Sequence, residues 1–438
     1  VTQKTTAKKP TKRTKRLLIL LIVLLVALGV YQYFTTPAEL VSLPTGPQSL
    51  VKKQPPKGGK IVAIESVETL SAEQVLATSR QNYGASAPQP TGAVTKAVIQ
   101  YTSYTPDGKE IKIYARAYIP ANGSKLTTLA FAPGTTGIGD QCAASLEQPA
   151  VSNWANYESH MATYAGQGYA TIITDYEGMR DLDRIHHYMI GELEGRAVID
   201  SLRALHNWEL AGARLNDNAM FVGGFSQGGH SAMWADKIAA EYAPEYKLRG
   251  VIGFGPVSDV KRTLADVTRG ANINWFGPFV LTSYQDYYGR AYDVSAMLQP
   301  KWTTNLRSDV TSHCIDSVIN FWGRNPAAVY TPALLEAMRT ENWNAFPQLN
   351  KDLEANSVGD QKTTTAKLIN QGALDNVILP GQQQAFLPKV CKNSRGPVNL
   401  KVYPGATHYN VMVQSFRDTT NWMKAIVDGN PPVTGCSA

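Results

Sequence analysis

Gly224-Phe225-Ser226-Gln227-Gly228 has the spacing G-x-S-x-G. A serine hydroxyl is a poor nucleophile until a base takes its proton, and it must stand clear of its own backbone. A sharp strand-to-helix turn achieves this by straining the serine backbone, and glycines two residues before and after remove side chains that would collide there. The pentapeptide alone is a weak signal, and its setting strengthens it. AMFVGGF (219–225) reads as a strand and GGHSAMWADKIAAEYA (228–243) as a helix, so Ser226 falls on such a turn. The competing reading is a Gly-rich β–α turn whose glycines are purely structural.

A base must then lie within reach. Of the seven histidines, His160, His186, His187, His206, His230, His313 and His408, the last is the best placed. It follows the strand VNLKVYP (398–404), in Gly405-Ala406-Thr407-His408-Tyr409, and catalytic sets built on this elbow run in the order Ser, acid, His. His206 sits on an amphipathic helix, His230 points away within the elbow helix, and His186 and His187 fall near the rim of the site. The acid should orient the imidazole. Asp375, just after the strand AKLINQG (366–372), is the expected choice; Asp352 and Asp360 precede that strand. Asp375 also suits a helix N-cap, and the two roles are compatible. Charge developing on a substrate oxygen needs two backbone N–H donors. Gln227 would supply one. The other would come from Pro133-Gly134-Thr135-Thr136-Gly137, with Thr135 favoured and Thr136 the near alternative. No Cys/His cluster has zinc spacing, and neither a metal nor a cofactor is expected.

These residues need a frame that brings strand ends together. AVIQYTSY (97–104) and EIKIYARAYI (110–119) flank Thr105-Pro106-Asp107-Gly108 and predict an antiparallel hairpin. Strands then alternate with helices. The strands are expected at 127–133, 170–176, 219–225, 250–256, 366–372 and 398–404, and the helices at 192–208, 228–243 and about 411–427. This predicts an α/β fold, a mostly parallel sheet with helices on both faces. Between about 257 and 356 the alternation stops and helical patterns such as PALLEAMR (332–339) dominate. Thirteen of the chain's forty aromatic residues fall there. This predicts a mainly helical insertion, a lid, whose aromatics form a small core of their own or line an apolar channel.

The chain has 438 residues and a formal charge of +7, which raises nucleic acid as a partner. All seven excess charges lie in residues 1–16, a basic tail of Lys4, Lys8, Lys9, Lys12, Arg13, Lys15 and Arg16. The remainder is formally neutral, so no nucleic-acid partner is expected. Residues 17–34 are almost wholly apolar, and a basic segment before such a run reads as a signal peptide or a transmembrane signal anchor. The length of the basic segment favours the anchor, which would tie the chain to a membrane if left uncleaved. Residues 35–60 are Pro- and Gly-rich and read as a linker, and residues 61–438 as the catalytic domain. Residues 35 onward would face an oxidising, extracellular or periplasmic compartment. Cys142, Cys314, Cys391 and Cys436 would then form two disulfides in one of three pairings, a choice that spacing leaves open.

PGTTGIGDQC (133–142), TDYEGM (174–179), RAVIDSLRAL (196–205), GFSQGG (224–229), INQGALDNVILP (369–380) and PGATH (404–408) together resemble the secretory lipase family of the α/β-hydrolase superfamily. The resemblance spans about residues 65–438. It implies an exported serine hydrolase acting on carboxylic esters, acylglycerols or other apolar acyl esters, with a helical lid between the strands at 250–256 and 366–372. It also implies the pairings Cys142–Cys314 and Cys391–Cys436. Two rivals stand beside it: another serine hydrolase, such as a peptidase or polysaccharide deacetylase, and a non-catalytic anchored binding protein on the same scaffold.

Overall fold

A computed structural model describes residues 56–148, 150–289 and 292–436. The basic tail 1–16, the apolar segment 17–34 and the linker as far as residue 55 lie outside the described residues. Among the described residues, no helix is long and apolar enough to cross a membrane.

Among the described residues, nine strands form a single sheet. They are β1 (Ile61–Leu70), β2 (Val94–Tyr104), β3 (Glu110–Pro120), β4 (Leu126–Ala132), β5 (Tyr169–Thr174), β6 (Leu215–Phe225), β7 (Leu248–Phe254), β8 (Ala366–Gly372) and β9 (Val398–Tyr403), in the order β1-β2-β3-β5-β4-β6-β7-β8-β9. The first three strands pair antiparallel, and β3 joins β5 antiparallel. From β5 to β9 every pairing is parallel. The expected hairpin is β2–β3, in register from Tyr104↔Glu110 to Val94↔Pro120, with Gly108 at φ 86° in its turn. A parallel sheet covered on both faces should have strands buried along their whole length. β8 meets this, with all seven residues buried.

The helices that cover the body are α1 (Ala72–Tyr83), α2 (Tyr157–Gly166), α3 (Gly191–Asn207) and α4 (Gln227–Tyr242). A capping box starts α1: the Ser71 side chain accepts from Gln74 N, and the Gln74 side chain accepts from Ser71 N. Alternation along β4 separates the two faces. Ala130 and Ala132 pack in a core with Leu202 of α3 and Trp234 of α4, whereas Leu129 and Phe131 pack in another with Val75 of α1 and Met161 of α2.

Between β7 and β8 lie α5 (Val260–Asp266), α6 (Phe276–Tyr288), α7 (Pro300–Thr303), α8 (Leu306–Thr311), α9 (Ile315–Trp322), α10 (Pro332–Thr340) and α11 (Pro347–Asn356). Their apolar residues form a third core that includes Phe276, Phe279, Tyr284, Trp322, Tyr330 and Leu353. After β8 come α12 (Pro380–Asn393), α13 (Val411–Gln414) and α14 (Phe416–Val427). The helix expected at about 411–427 is therefore two pieces, with Ser415 between them.

Sequence reading did not identify β1, α1, α2 or α12. β1 is an edge strand with Val62, Ile64 and Val67 exposed, so it carries no inward apolar stripe for a pattern to show. At the end of the Pro/Gly-rich stretch, Gly58 and Gly59 are buried, and Gly59 N–H donates to the Thr102 carbonyl at 2.6 Å. These residues dock on the body before β1 begins.

Disulfides join Cys142 to Cys314 and Cys391 to Cys436. The first ties the loop after β4 to the start of α9. The second spans 45 residues and holds the C-terminus to α12, while Gly435 N–H donates to the Val398 carbonyl at 2.7 Å. A link of this span restricts the unfolded chain. The double substitution Cys391→Ser/Cys436→Ser is expected to lower stability by about 2–4 kcal/mol, read from urea denaturation of oxidised wild type and variant.

Candidate active site

Ser226 has φ 55° and ψ −115°, a region costly for any residue with a Cβ. Hydrogen bonds on both sides hold it there. Its N–H donates to the Phe254 carbonyl at 2.9 Å, and its carbonyl accepts from Val257 N–H at 3.1 Å. The neighbouring glycines leave no space for substitution. A Cβ on Gly224 would lie 2.1 Å from the Gly228 carbonyl oxygen, and one on Gly228 would lie 1.9 Å from that of Ala132. The turn therefore closes only with glycine at these positions, and it lifts the serine side chain to the C-terminal end of β6.

The other expected residues follow neighbouring parallel strands. Thr135 follows β4, Asp375 follows β8 and His408 follows β9. His408 Nδ1 is 2.7 Å from Asp375 Oδ2. Asp375 also accepts from Val377 N–H at 2.9 Å, Ile378 N–H at 2.8 Å and Gln371 Nε2 at 3.2 Å. Four donors converge on an acceptor-only carboxylate, so the Nδ1 proton points at Asp375 and Nε2 presents a lone pair. The capping role and the His408 contact coexist on one side chain, divided between Oδ1 and Oδ2. Behind this pair lies Gly255, at φ 50°, where a Cβ would stand 3.1 Å from His408 Nδ1 and 3.2 Å from Asp375 Oδ2. Sequence reading did not single out Gly255, although a Gly-Pro pair straight after a strand marks a turn.

Ser226, His408 and Thr135 line one cavity. Its apolar walls are Trp154, Phe225, Trp275, Ile315, Ile319 and Val377. Trp275 belongs at once to this wall and to the core of the inserted helices, and Ile315 and Ile319 come from one face of α9. The start of α9 is fixed to the loop after β4 by Cys142–Cys314 and by Ile315 N–H donating to the Thr136 carbonyl at 2.9 Å. Thr136 itself is fully buried. The Thr135 hydroxyl meets Tyr188 OH at 2.8 Å. Gln227 is the first residue of α4, where backbone N–H groups have no intrahelical acceptor.

The remaining histidines are engaged elsewhere. His160 meets Tyr83 OH at 2.9 Å, and burial pushes its pKa down to about 3. Burial likewise pushes His186 down to about 4. His206 faces Asp217, and His313 stacks on Phe321. His230 meets Glu194 at 2.8 Å beneath the elbow. Asp352 hydrogen-bonds to Tyr292, and Asp360 pairs with Lys237 at 3.0 Å.

A family model described as "Secretory lipase" matches residues 156–435. Lipase 1 of Candida albicans is 21% identical over 349 residues, covering 75% of this chain and 71% of that protein. Among solved structures, a putative hydrolase of Legionella pneumophila matches with a TM-score of 0.71 at 17% identity, covering 84% of this chain and 98% of the other. The closed state of Candida antarctica lipase A matches with a TM-score of 0.63 at 18% identity, covering 86% and 84%.

His187 joins the body to the inserted helices. Its Nδ1 lies 2.7 Å from Glu177 Oε2, in the loop after β5, and its Nε2 lies 3.0 Å from Asp286 Oδ2 on α6. Arg184 pairs with Glu177, and Arg307 pairs with Asp286. Burial draws the imidazole pKa down, but the two carboxylates outweigh it and the net shift is upward from 6.5. A raised folded-state value makes the contribution complete below about pH 6.5 and lost as pH rises through that value. His187→Ala is therefore expected to destabilise the protein more at pH 6 than at pH 9. The gap between wild-type and variant urea midpoints should narrow as pH rises.

Proposed function

The chain belongs to the secretory lipase family and has the α/β-hydrolase fold, and from that premise we propose that it cleaves esters with apolar acyl chains through Ser226, His408 and Asp375. The observation that carries this reading is the convergence of a strained serine and a carboxylate-oriented imidazole on one apolar cavity. His408 Nε2 takes the Ser226 hydroxyl proton as the oxygen attacks the ester carbonyl carbon. Asp375 holds the imidazole tautomer and stabilises the imidazolium that forms. The carbonyl oxygen becomes an oxyanion, and the Gln227 and Thr135 amides donate to it. The start of α4 adds the positive end of its dipole. His408 then protonates the departing alkoxide. Water, deprotonated by His408, attacks the acyl-enzyme, and the acid leaves as Ser226 regains its proton.

The wall of Trp154, Trp275, Ile315 and Ile319 supports an acyl rather than a peptide or sugar occupant, since burying a CH2 group yields about 0.8 kcal/mol. That wall favours the lipase reading over a peptidase or deacetylase. Export is part of the proposal. The basic and apolar N-terminal segments support it, as do two disulfides, which persist in oxidising compartments.

Ser226→Ala is expected to lower kcat on short p-nitrophenyl esters by about 10⁴-fold or more, and Asp375→Asn by about 10²- to 10⁴-fold, each with an unchanged circular dichroism spectrum. Full activity in folded Ser226→Ala would overturn the mechanism. Comparing C2 to C18 esters with aminoacyl amides tests the substrate class, and faster turnover of the amides would overturn the lipase reading.

A further inference from the structure

Beneath the elbow, a carboxylate that the hydrolytic chemistry does not touch gathers the residues around it. Glu194, on α3, has a side chain with no exposed surface. Its Oε1 accepts from Met189 N–H at 2.9 Å and from the Gln227 side-chain amide at 2.8 Å. Its Oε2 accepts from His230 Nδ1 at 2.8 Å and from the Ser231 hydroxyl at 2.9 Å. Three of these partners lie in the first turns of the elbow helix.

The hydrogen bonds decide where the protons are. His230 Nε2 lies 2.6 Å from the backbone carbonyl of Asn356, the last residue of α11. A carbonyl only accepts, so Nε2 carries a proton. Nδ1 faces a carboxylate, so a second proton lies between them, and Glu194 and His230 form a buried ion pair. The charge and hydrogen bond of His230 outweigh burial and hold the Glu194 carboxyl below its ordinary range.

Gln227 is locked by the same arrangement. Besides Glu194, its Nε2 lies 2.7 Å from His186 Nε2. His186 Nδ1 lies 3.2 Å from the Glu177 carbonyl, which places the ring proton on Nδ1 and leaves Nε2 to accept. Both hydrogens of the Gln227 amide are committed, so turning the side chain breaks two hydrogen bonds. On the other side, Met189 follows Tyr188, whose hydroxyl meets Thr135. One carboxylate thus reaches both residues whose amides face the developing oxyanion.

We propose that Glu194, paired with His230, is a positioning residue that holds the Gln227 and Thr135 amides where the oxyanion forms. The inference rests on the hydrolytic reading above. An oxyanion exists only in the transition state and its intermediate, so loosening its donors falls on kcat and leaves KM unchanged.

The test is a double-mutant cycle of Glu194→Gln and Gln227→Leu, assayed on a soluble p-nitrophenyl ester. Turnover is counted per serine titrated with a fluorophosphonate, so unfolded protein does not enter. Gln227→Leu leaves the ion pair intact and is the readable variant should Glu194→Gln fold poorly. It is expected to lower kcat about 10- to 100-fold with KM within about twofold. Glu194→Gln is expected to lower kcat by less, because a neutral amide can still accept from Gln227 while donating to His230 Nδ1. Its effect should be smaller in the Gln227→Leu background, where only the route through Met189, Tyr188 and Thr135 remains. Unchanged kcat per titrated serine in Gln227→Leu, or independent additive losses, would overturn the inference. Wild-type turnover that survives Ser226→Ala would overturn the parent reading, and this inference with it.

Discussion

The geometry of Ser226 constrains everything around it. A residue with a Cβ held at φ 55° and ψ −115° costs about 1–3 kcal/mol, and it persists only where its surroundings allow nothing else. Here both the N–H and the carbonyl are hydrogen-bonded to the end of β7 and the loop after it, and Gly224 and Gly228 occupy space that would not accept a methyl group. β6 and α4 must approach each other at that distance. The packing of α3 against α4 and of β4 and β7 against β6 follows from this.

A parallel sheet converts that single turn into a site. Because β4, β6, β8 and β9 run in the same direction, the loops after them emerge on one edge, carrying Thr135, Ser226, Asp375 and His408. The inserted helices close over the same edge with their own apolar core and lend Trp275, Ile315 and Ile319 to the cavity. Cys142–Cys314 joins α9 to the loop that carries Thr135, so part of the cavity wall is covalently fixed to the body. Charge is managed in the same economical way. The buried carboxylates of Asp375 and Glu194 are each surrounded by donors, and each fixes an imidazole.

Much of this was legible in the sequence, wherever the signal was local. Short apolar runs between turn residues gave the strands from β4 to β8, because strands buried on both faces must be apolar throughout. The loss of alternation after residue 257 marked the inserted helices. β1 stayed hidden because an edge strand with outward Val62, Ile64 and Val67 has no buried face to impose a pattern. In the sequence, only strand order separates Asp375 from Asp352 and Asp360. The three residues prove to have separate partners, His408, Tyr292 and Lys237.

By itself, the sequence determined what depends on neighbours a few residues apart: the elbow, the hairpin turn, the strand and helix periods, and the confinement of excess charge to residues 1–16. Only the tertiary structure decided which groups meet across long separations. It joined His408 to Asp375, Cys142 to Cys314, and Glu194 to His230, and it turned Trp275 toward the cavity as well as the core. A buried glutamate on an amphipathic helix looks like any solvated one in a linear sequence. Its partners come from α4 and from the segment before α3, and only packing shows that it must be paired.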